Sequence, residues 1–315
     1  MAVAKQVRAE LLSLLKSEDW FTDELAKELP LKWEKHGDLV LVPEKTFLST
    51  SIWLQHIKIL EAACKLLRCN RLARRIGPTQ NDDFRSPKIQ MLFGNSTSVT
   101  KKENGILYSW DLSKCMFSSG NITEKQRIGS WDLKGKVVVD MYAGIGYFTL
   151  TYLIHSKCEL VYACEWNPAS VEALQNNFKL NKISPDRYVL LPGDNRKTCP
   201  KGVADHVNLG LIPSSEDGWP AACAALKKDS GGMLHVHGNV DSKPGETENN
   251  EGEPSSIDAS TTKWGSHVTK RIQNIFCDLY PNEEWKVSVE NMVKVKSYAP
   301  HVDHVVADIL CCPSL

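Results

Sequence analysis

Apolar residues recur along this chain at two spacings, and each change of spacing marks an element. In residues 1–29, Val7, Leu11, Leu12 and Leu15 recur at helical spacing among charges. Gly37 and Asp38 then turn the chain into a strand of alternating Leu and Val that ends at Val42. A helix is predicted from about Ile52 to Leu72, closing in a basic cluster of Arg68, Arg71, Arg74 and Arg75. Pro78 to Pro87 is polar and turn-rich and reads as a hinge. Beyond it, Lys88–Phe93 and Ile106–Asp111 read as two strands with Asn104 and Gly105 turning between them. Thr123–Arg127 opens a further helix, with Asn121 as its cap.

From Val137 onward a series of strands is predicted. The β-branched run Val137, Val138, Val139 ends at Asp140, Gly144 and Gly146 supply a turn, and an apolar helical pattern follows to Leu150. Further strands are expected at Glu159–Cys164, Tyr188–Leu191, Ala204–Leu211 and Gly232–His237, and a helix at Val268–Leu279. Lys286–Lys296 and His304–Cys311 read as an antiparallel pair joined through SYAPHVD. Residues 239–262 are acidic, rich in Ser, Gly and Pro and nearly without large apolar side chains, which predicts a disordered insert. The pattern implies an α/β fold, a mostly parallel Rossmann-like sheet with a C-terminal antiparallel hairpin, behind a smaller α+β region. The expected divisions are 1–78 for that region, 79–130 for connecting strands and a ligand-covering loop, and 131–315 for the Rossmann-like domain.

The first turn of that domain carries chemistry. Glycine lets a backbone pass close to a ligand, and a helix N-terminus offers unpaired N–H groups. A dinucleotide fingerprint would need a third glycine where Thr149 stands. The pattern is instead D-x-x-x-G-x-G through Asp140, Gly144 and Gly146, which looks like the first motif of S-adenosylmethionine-dependent transferases. Glu165 ends the next strand, where a carboxylate can accept both ribose hydroxyls, and Asp194 with Asn195 ends the one after, where they could face an adenine edge.

Composition narrows the class. A hydrophobic share of 42% and a charged share of 24% are ordinary for a globular protein. No window holds the roughly 18 apolar residues of a membrane span, and the start lacks the apolar core of a signal peptide, so no membrane association and a cytoplasmic location are expected. The ten cysteines are scattered with no C-x-x-C pair, and read as reduced thiols. His301 and His304 lack the partners of a zinc set, so no metal is expected. With a formal net charge of +0, any nucleic-acid contact must come from local basic patches. Arg71, Arg74 and Arg75 are candidates, the alternative being a solvated helix end.

Six segments together carry a resemblance: FSSGNITEK (Phe117–Lys125), DMYAGIGYFTL (Asp140–Leu150), ACEWNP (Ala163–Pro168), GDNRK (Gly193–Lys197), LGLIPSSEDGWP (Leu209–Pro220) and VKSYAPHVDH (Val295–His304). With these the chain resembles the tRNA wybutosine-synthesizing protein 2 family, which has a class I methyltransferase-like Rossmann sheet. The resemblance implies transfer of the 3-amino-3-carboxypropyl group of S-adenosylmethionine to C7 of 4-demethylwyosine at position 37, in the anticodon region of tRNA(Phe); a monomer is expected, although the sequence does not itself give oligomeric state. It further implies that Ser118, Lys125, Glu165, Asp194 and Asn195 contact S-adenosylmethionine, with the Lys125 cation within reach of the methionine carboxylate.

Two other readings stand beside it. The related tRNA guanine-37 N1 methyltransferases typically carry phenylalanine-serine-proline-arginine in the loop before the sheet and end the fourth strand in asparagine-leucine-proline. Here Gly120 holds the arginine's place and the strand continues as LGLIPSS. A non-catalytic tRNA-binding module is the reading from another class. The proton acceptor is not identified by sequence. Glu216 and Asp217 are candidates, or simply acids that start a helix.

Overall fold

The sheet of the larger unit is organised about the strand that ends at Asp140. A computed structural model describes residues 2–77, 84–117, 120–241 and 259–314. It divides into two units, Met1–Phe117 and Ser118–Leu315.

The first unit contains helices α1 (Ala2–Leu15), α2 (Asp23–Lys27), α3 (Thr50–Trp53) and α4 (Ile57–Leu67). Its strands are β1 (Glu34–His36), β2 (Leu39–Val42), β3 (Arg71–Arg75), β4 (Ile89–Phe93), β5 (Ser98–Glu103) and β6 (Ile106–Asp111). Four of them form a sheet in the order β1-β2-β3-β4, and β5 pairs with β6. The core gathers Val7, Leu11 and Leu15 of α1, Leu60 and Leu67 of α4, and Val40 and Leu72 of the sheet.

Two expectations are corrected here. The predicted helix does not run to Leu72, because Arg68 turns left-handed (φ 52°) and closes α4 at Leu67. Arg71–Arg75 is a strand parallel to β2, with Leu72 and Ala73 buried. Ile106–Asp111 does pair across the Asn104–Gly105 turn, but with Ser98–Glu103, while Ile89–Phe93 joins β3. The sequence SVTKKE has too few apolar residues to signal a strand, and its ladder to β6 supplies what its side chains lack. The proposed hinge at 78–87 lies outside the described residues up to residue 83.

The second unit contains α5 (Ile122–Gly129), β7 (Val137–Asp140), α6 (Thr149–Ile154), β8 (Leu160–Glu165), α7 (Pro168–Leu180), β9 (Tyr188–Pro192) and α8 (Asn195–Thr198). It continues through β10 (His206–Leu209), α9 (Trp219–Ala225), β11 (Gly232–Asp241), α10 (Ala259–Leu279), β12 (Trp285–Ala299) and β13 (Val302–Pro313). Its seven strands run in the order β12-β13-β11-β10-β7-β8-β9. β7 to β11 pair in parallel, and β13 is antiparallel to both β11 and β12. Strand order reverses at β7, with β8 on one side and β10 on the other, the place where open α/β sheets bind ligands.

The expected insert at 239–262 is shorter at both ends, since Asn239–Asp241 completes β11 and Ala259–Thr262 begins α10. Residues 242–258 lie outside the described residues. The two faces of the sheet differ sharply. On one, Val139, Val207, Leu209, Leu234, Val236, Ala307 and Ile309 pack with Trp219 of α9 and with Val268, Ile272 and Phe276 of α10. The register puts Asp140, Asn208, His235 and Asp308 in one row on the other face. Among the described residues no helix is long and apolar enough to cross a membrane.

Candidate functional site

The glycine turn after β7 is held from beneath. Asp140 is fully buried, and its two oxygens accept from the Thr149 hydroxyl (2.6 Å) and from Asn208 Nδ2 (3.0 Å). Burial pushes the Asp140 carboxyl up, and these hydrogen bonds oppose that rise. Asp140 therefore shapes the turn from inside the sheet. Thr149, whose presence excludes the dinucleotide pattern, is what fastens the far end of the turn to Asp140. Gly144 (φ 56°) and Gly146 (φ 102°) take left-handed conformations, so the turn requires both.

Strand β8 braces the turn from its other side. Glu165 Oε2 accepts from Gly144 N–H and Oε1 from Asn167 N–H, each at 2.7 Å. A carboxylate offers about four lone-pair sites, and with the Gly144, Asn167 and Trp166 N–H groups drawing on them one remains for a ligand hydroxyl. Burial raises the Glu165 carboxyl, against the backbone N–H groups of Asn167 and Gly144. Asn195 Nδ2 donates to the Met141 carbonyl (2.6 Å), drawing the end of β9 to the same turn. Asp194 caps α8 by accepting from Arg196 N–H and is forked by the Arg196 guanidinium (2.8 Å), which holds its carboxyl below the usual range. The structure thus gathers Asp140, Gly144, Gly146, Glu165 and Asn195 about one turn, with Asp194 beside Asn195 at its edge.

Lys125 reaches this group from α5. It is 1% exposed, and its Nζ lies 5.6 Å from the centroid of Tyr147, a residue of the glycine turn. Asn121 stands at the N-cap of α5, but its side chain makes no capping bond. Ser118 lies outside the described residues.

The remaining candidates are placed differently. Glu216 is held by Arg271 Nε (2.9 Å), whereas Asp217 is exposed and acts electrostatically on Tyr142 and Arg196 beside Asn195. In the first unit Arg71 pairs with Asp38, and Arg75 with Glu34 at 3.0 Å. Arg74 is 7% exposed and donates to Gln90 (2.8 Å) and the Leu48 carbonyl. It supports the sheet from inside. Arg75 lines an open cavity of about 300 Å³ with Lys32, Trp33 and Glu44.

Sequence reasoning missed the polar face of the sheet. His206 and His235 share a hydrogen bond (3.0 Å), and His235 bonds Asp308 (2.7 Å). Arg127 joins Asp308 (2.6 Å) to Glu124 (2.7 Å) and lies 4.7 Å from the Trp131 ring centroid. A second pair, His237 and His304, meets at 3.0 Å. The LHVH segment was the available signal, because histidines two apart in a strand share a face. Among the described residues no group of three or more His, Cys, Asp or Glu is placed to hold a metal ion.

The donor set suits S-adenosylmethionine. A strand-end carboxylate keeps acceptor capacity for a ribose hydroxyl, a carboxylate and an amide stand at the next strand end, and a buried ammonium lies over the Tyr147 ring of the intervening turn. Residues 99–248 match the TRM5/TYW2 methyltransferase domain, and residues 11–97 match the TYW2 N-terminal domain. The tRNA wybutosine-synthesizing protein 2 homolog of Danio rerio is 43% identical over 99% of this chain and 78% of its own length. The Arabidopsis thaliana tRNA wybutosine-synthesizing protein 2/3/4 is 45% identical over 98% of this chain, which spans 29% of that longer protein. The structure of P. horikoshii TYW2 in complex with MeSAdo superposes with a TM-score of 0.73 at 27% identity, over 98% of this chain and 100% of that one. That of M. jannaschii TYW2 in complex with AdoMet gives 0.64 at 27%, over 90% and 100%. By these matches along nearly its whole length, this chain belongs to the tRNA wybutosine-synthesizing protein 2 family.

Proposed function

We propose that this protein transfers the 3-amino-3-carboxypropyl group of S-adenosylmethionine to C7 of 4-demethylwyosine at position 37 of tRNA(Phe). The observation that carries the reading is the gathering of Asp140, Gly144, Glu165 and Asn195 about one turn, with the Lys125 ammonium over its Tyr147 ring, in a chain of this family. When bound, the sulfonium supplies an electrophilic γ carbon, and the nucleoside by-product is methylthioadenosine. The chain's own work is positioning. Glu165 receives the ribose hydroxyls, Asp194 and Asn195 the adenine edge, and Lys125 the methionine carboxylate. Ser118 contacts the donor in the same reading. The exposed carboxylate of Asp217 is the better-placed proton acceptor, because Glu216 is already engaged by Arg271.

We extend the reading to the anticodon region of tRNA(Phe) as the docking face, to a monomer as the working form, and to the cytoplasm as the location. Of the three arginines proposed for phosphate contact, Arg75 suits it best, because Arg71 is engaged by Asp38 and by the Ser96 and Ser98 carbonyls, and Arg74 faces inward.

The test follows the label. With tRNA carrying 4-demethylwyosine, donor labelled in its carboxyl carbon should transfer label to tRNA, and methyl-labelled donor should leave it in methylthioadenosine. Methyl label in tRNA together with adenosylhomocysteine would overturn the reading in favour of N1 methylation. In addition, Lys125→Ala should weaken S-adenosylmethionine binding about tenfold or more while barely changing that of methylthioadenosine, which lacks the amino-acid end.

A further inference from the structure

Lys296 of β12 carries an ammonium that is half-buried and has no carboxylate within ion-pair distance among the described residues. Burial lowers its affinity for its proton, and no anion among the described residues opposes that. Its location is specific. A Cβ placed on Gly120 would fall inside van der Waals contact of Lys296 Nζ, so the ammonium lies against the turn that leads into α5. The Thr123 hydroxyl donates to the Val295 carbonyl (3.4 Å), fastening that turn to β12.

The strand register adds a second observation. Lys296 stands opposite His304, and His304 opposite Asn239, so three neighbouring strands place these side chains in one row on the polar face. Buried polar atoms collect there without hydrogen-bond partners among the described residues: His304 Nδ1, Asn239 Oδ1, His237 Nε2 and, on the α5 turn, Asn121 Oδ1. His304 and His237 are each 1% exposed. Native interiors rarely leave so many polar atoms unbonded in one place, and a ligand that bonds them is a physical explanation. The Asn239 N–H donates to the Pro213 carbonyl (3.0 Å), which ties the row to the loop after β10.

We infer that Lys296 is a second cation of the donor site, and that with Asn121, Asn239 and His304 it seats the zwitterionic amino-acid end of S-adenosylmethionine. The chemistry favours that ligand over a tRNA phosphate. An α-amino acid end brings a carboxylate for the ammonium and an ammonium for the unbonded oxygens, whereas a phosphate brings acceptors alone. The inference rests on the reading of the bound donor given above. It adds that the transferred group is gripped from two sides of the α5 turn, by Lys125 and by Lys296, which fixes the carbon that is presented.

Calorimetry with S-adenosylmethionine and with methylthioadenosine tests this without reference to the product. Lys296→Met should weaken the first about tenfold and leave the second unchanged, and Lys296→Arg should recover part of the loss. Gly120→Ala, which adds no charge but displaces the Lys296 ammonium, should show the same selectivity. Equal losses for both ligands would overturn the inference in favour of a packing role. Unchanged binding of both, with weaker tRNA binding and a salt slope reduced by about one, would overturn it in favour of a phosphate contact. A wild-type protein that releases adenosylhomocysteine refutes the proposed reaction, and the binding comparison still decides the seat of the amino-acid end.

Discussion

Glu165 braces the site and, in the proposed reading, also receives the donor. It fixes the glycine turn through Gly144 N–H and keeps acceptor capacity for a ribose. Glu165→Ala should therefore weaken S-adenosylmethionine and methylthioadenosine alike, by about tenfold or more, since charge-assisted bonds are worth roughly 1.5–3 kcal/mol. This pattern differs from that expected at Lys125 and Lys296. Undiminished affinity for both ligands in a folded Glu165→Ala protein would remove the nucleoside role. Asp140 has no such outward capacity in evidence, being buried and bonded to Thr149 and Asn208. Asp140→Asn would turn an amide N–H₂ toward one of these donors and should lower stability by about 1–3 kcal/mol, read from urea unfolding. Glu165 was legible from sequence because a carboxylate at a strand end has a recognisable position. The bond to Thr149 was not, since it spans the whole turn.

At the scale of elements, α5 matters most. One residue of it, Lys125, faces the site, and two others, Glu124 and Arg127, lock it to β13 through Asp308. Burial lowers the Arg127 guanidinium, but its hydrogen bonds to Glu124 and Asp308 more than offset that and hold it fully charged. Removing the arginine leaves two buried carboxylates without it. Arg127→Met should cost about 3–5 kcal/mol of stability, and adding Glu124→Gln and Asp308→Asn should return much of it. A single variant with unchanged urea midpoint would contradict this account. The Arg71–Arg75 segment makes the converse point. It follows a helix and is rich in arginine, and it becomes a strand because Arg68 turns left-handed and β2 offers a ladder. Neither cause can be read from the side chains of the segment itself.

The molecule as a whole should be acid-sensitive because of its polar face. Burial depresses His206, His237 and His304 to about 3, with neighbouring His235 adding to the shift at His206 and His237 and neighbouring His237 at His304. In the unfolded chain these groups take up protons near pH 6.5. Between the two values the unfolded state binds more protons, so the stability held in full above about pH 6.5 is lost as pH falls toward 3. Burial raises Asp308, but the hydrogen bonds and charges of His235 and Arg127 bring it well below the carboxylate range, so its contribution too is lost on acidification, at lower pH. Thermal melting should move to lower temperature through this window, and less so in a His237→Asn, His304→Asn variant. A melting temperature that stays constant from about pH 6.5 to 4 would contradict the neutral-histidine account.

By itself the sequence determined the succession of strands from Val137 onward, the closing hairpin and the turn with its strand-end carboxylates. Each is a local pattern of apolar spacing, glycine and charge that any homologous stretch of backbone must express in the same way. Tertiary structure alone decided the rest. The His206–His235–Asp308–Arg127 chain joins β10, β11, β13 and α5, and its members are 181 residues apart at the extremes of the Arg127–Asp308 contact. Lys296 acquires its place only when β12 pairs with β13 and the Gly120 turn closes against it. No periodicity in sequence records such meetings, because they depend on strand order and register, which are settled by the packing of the whole sheet.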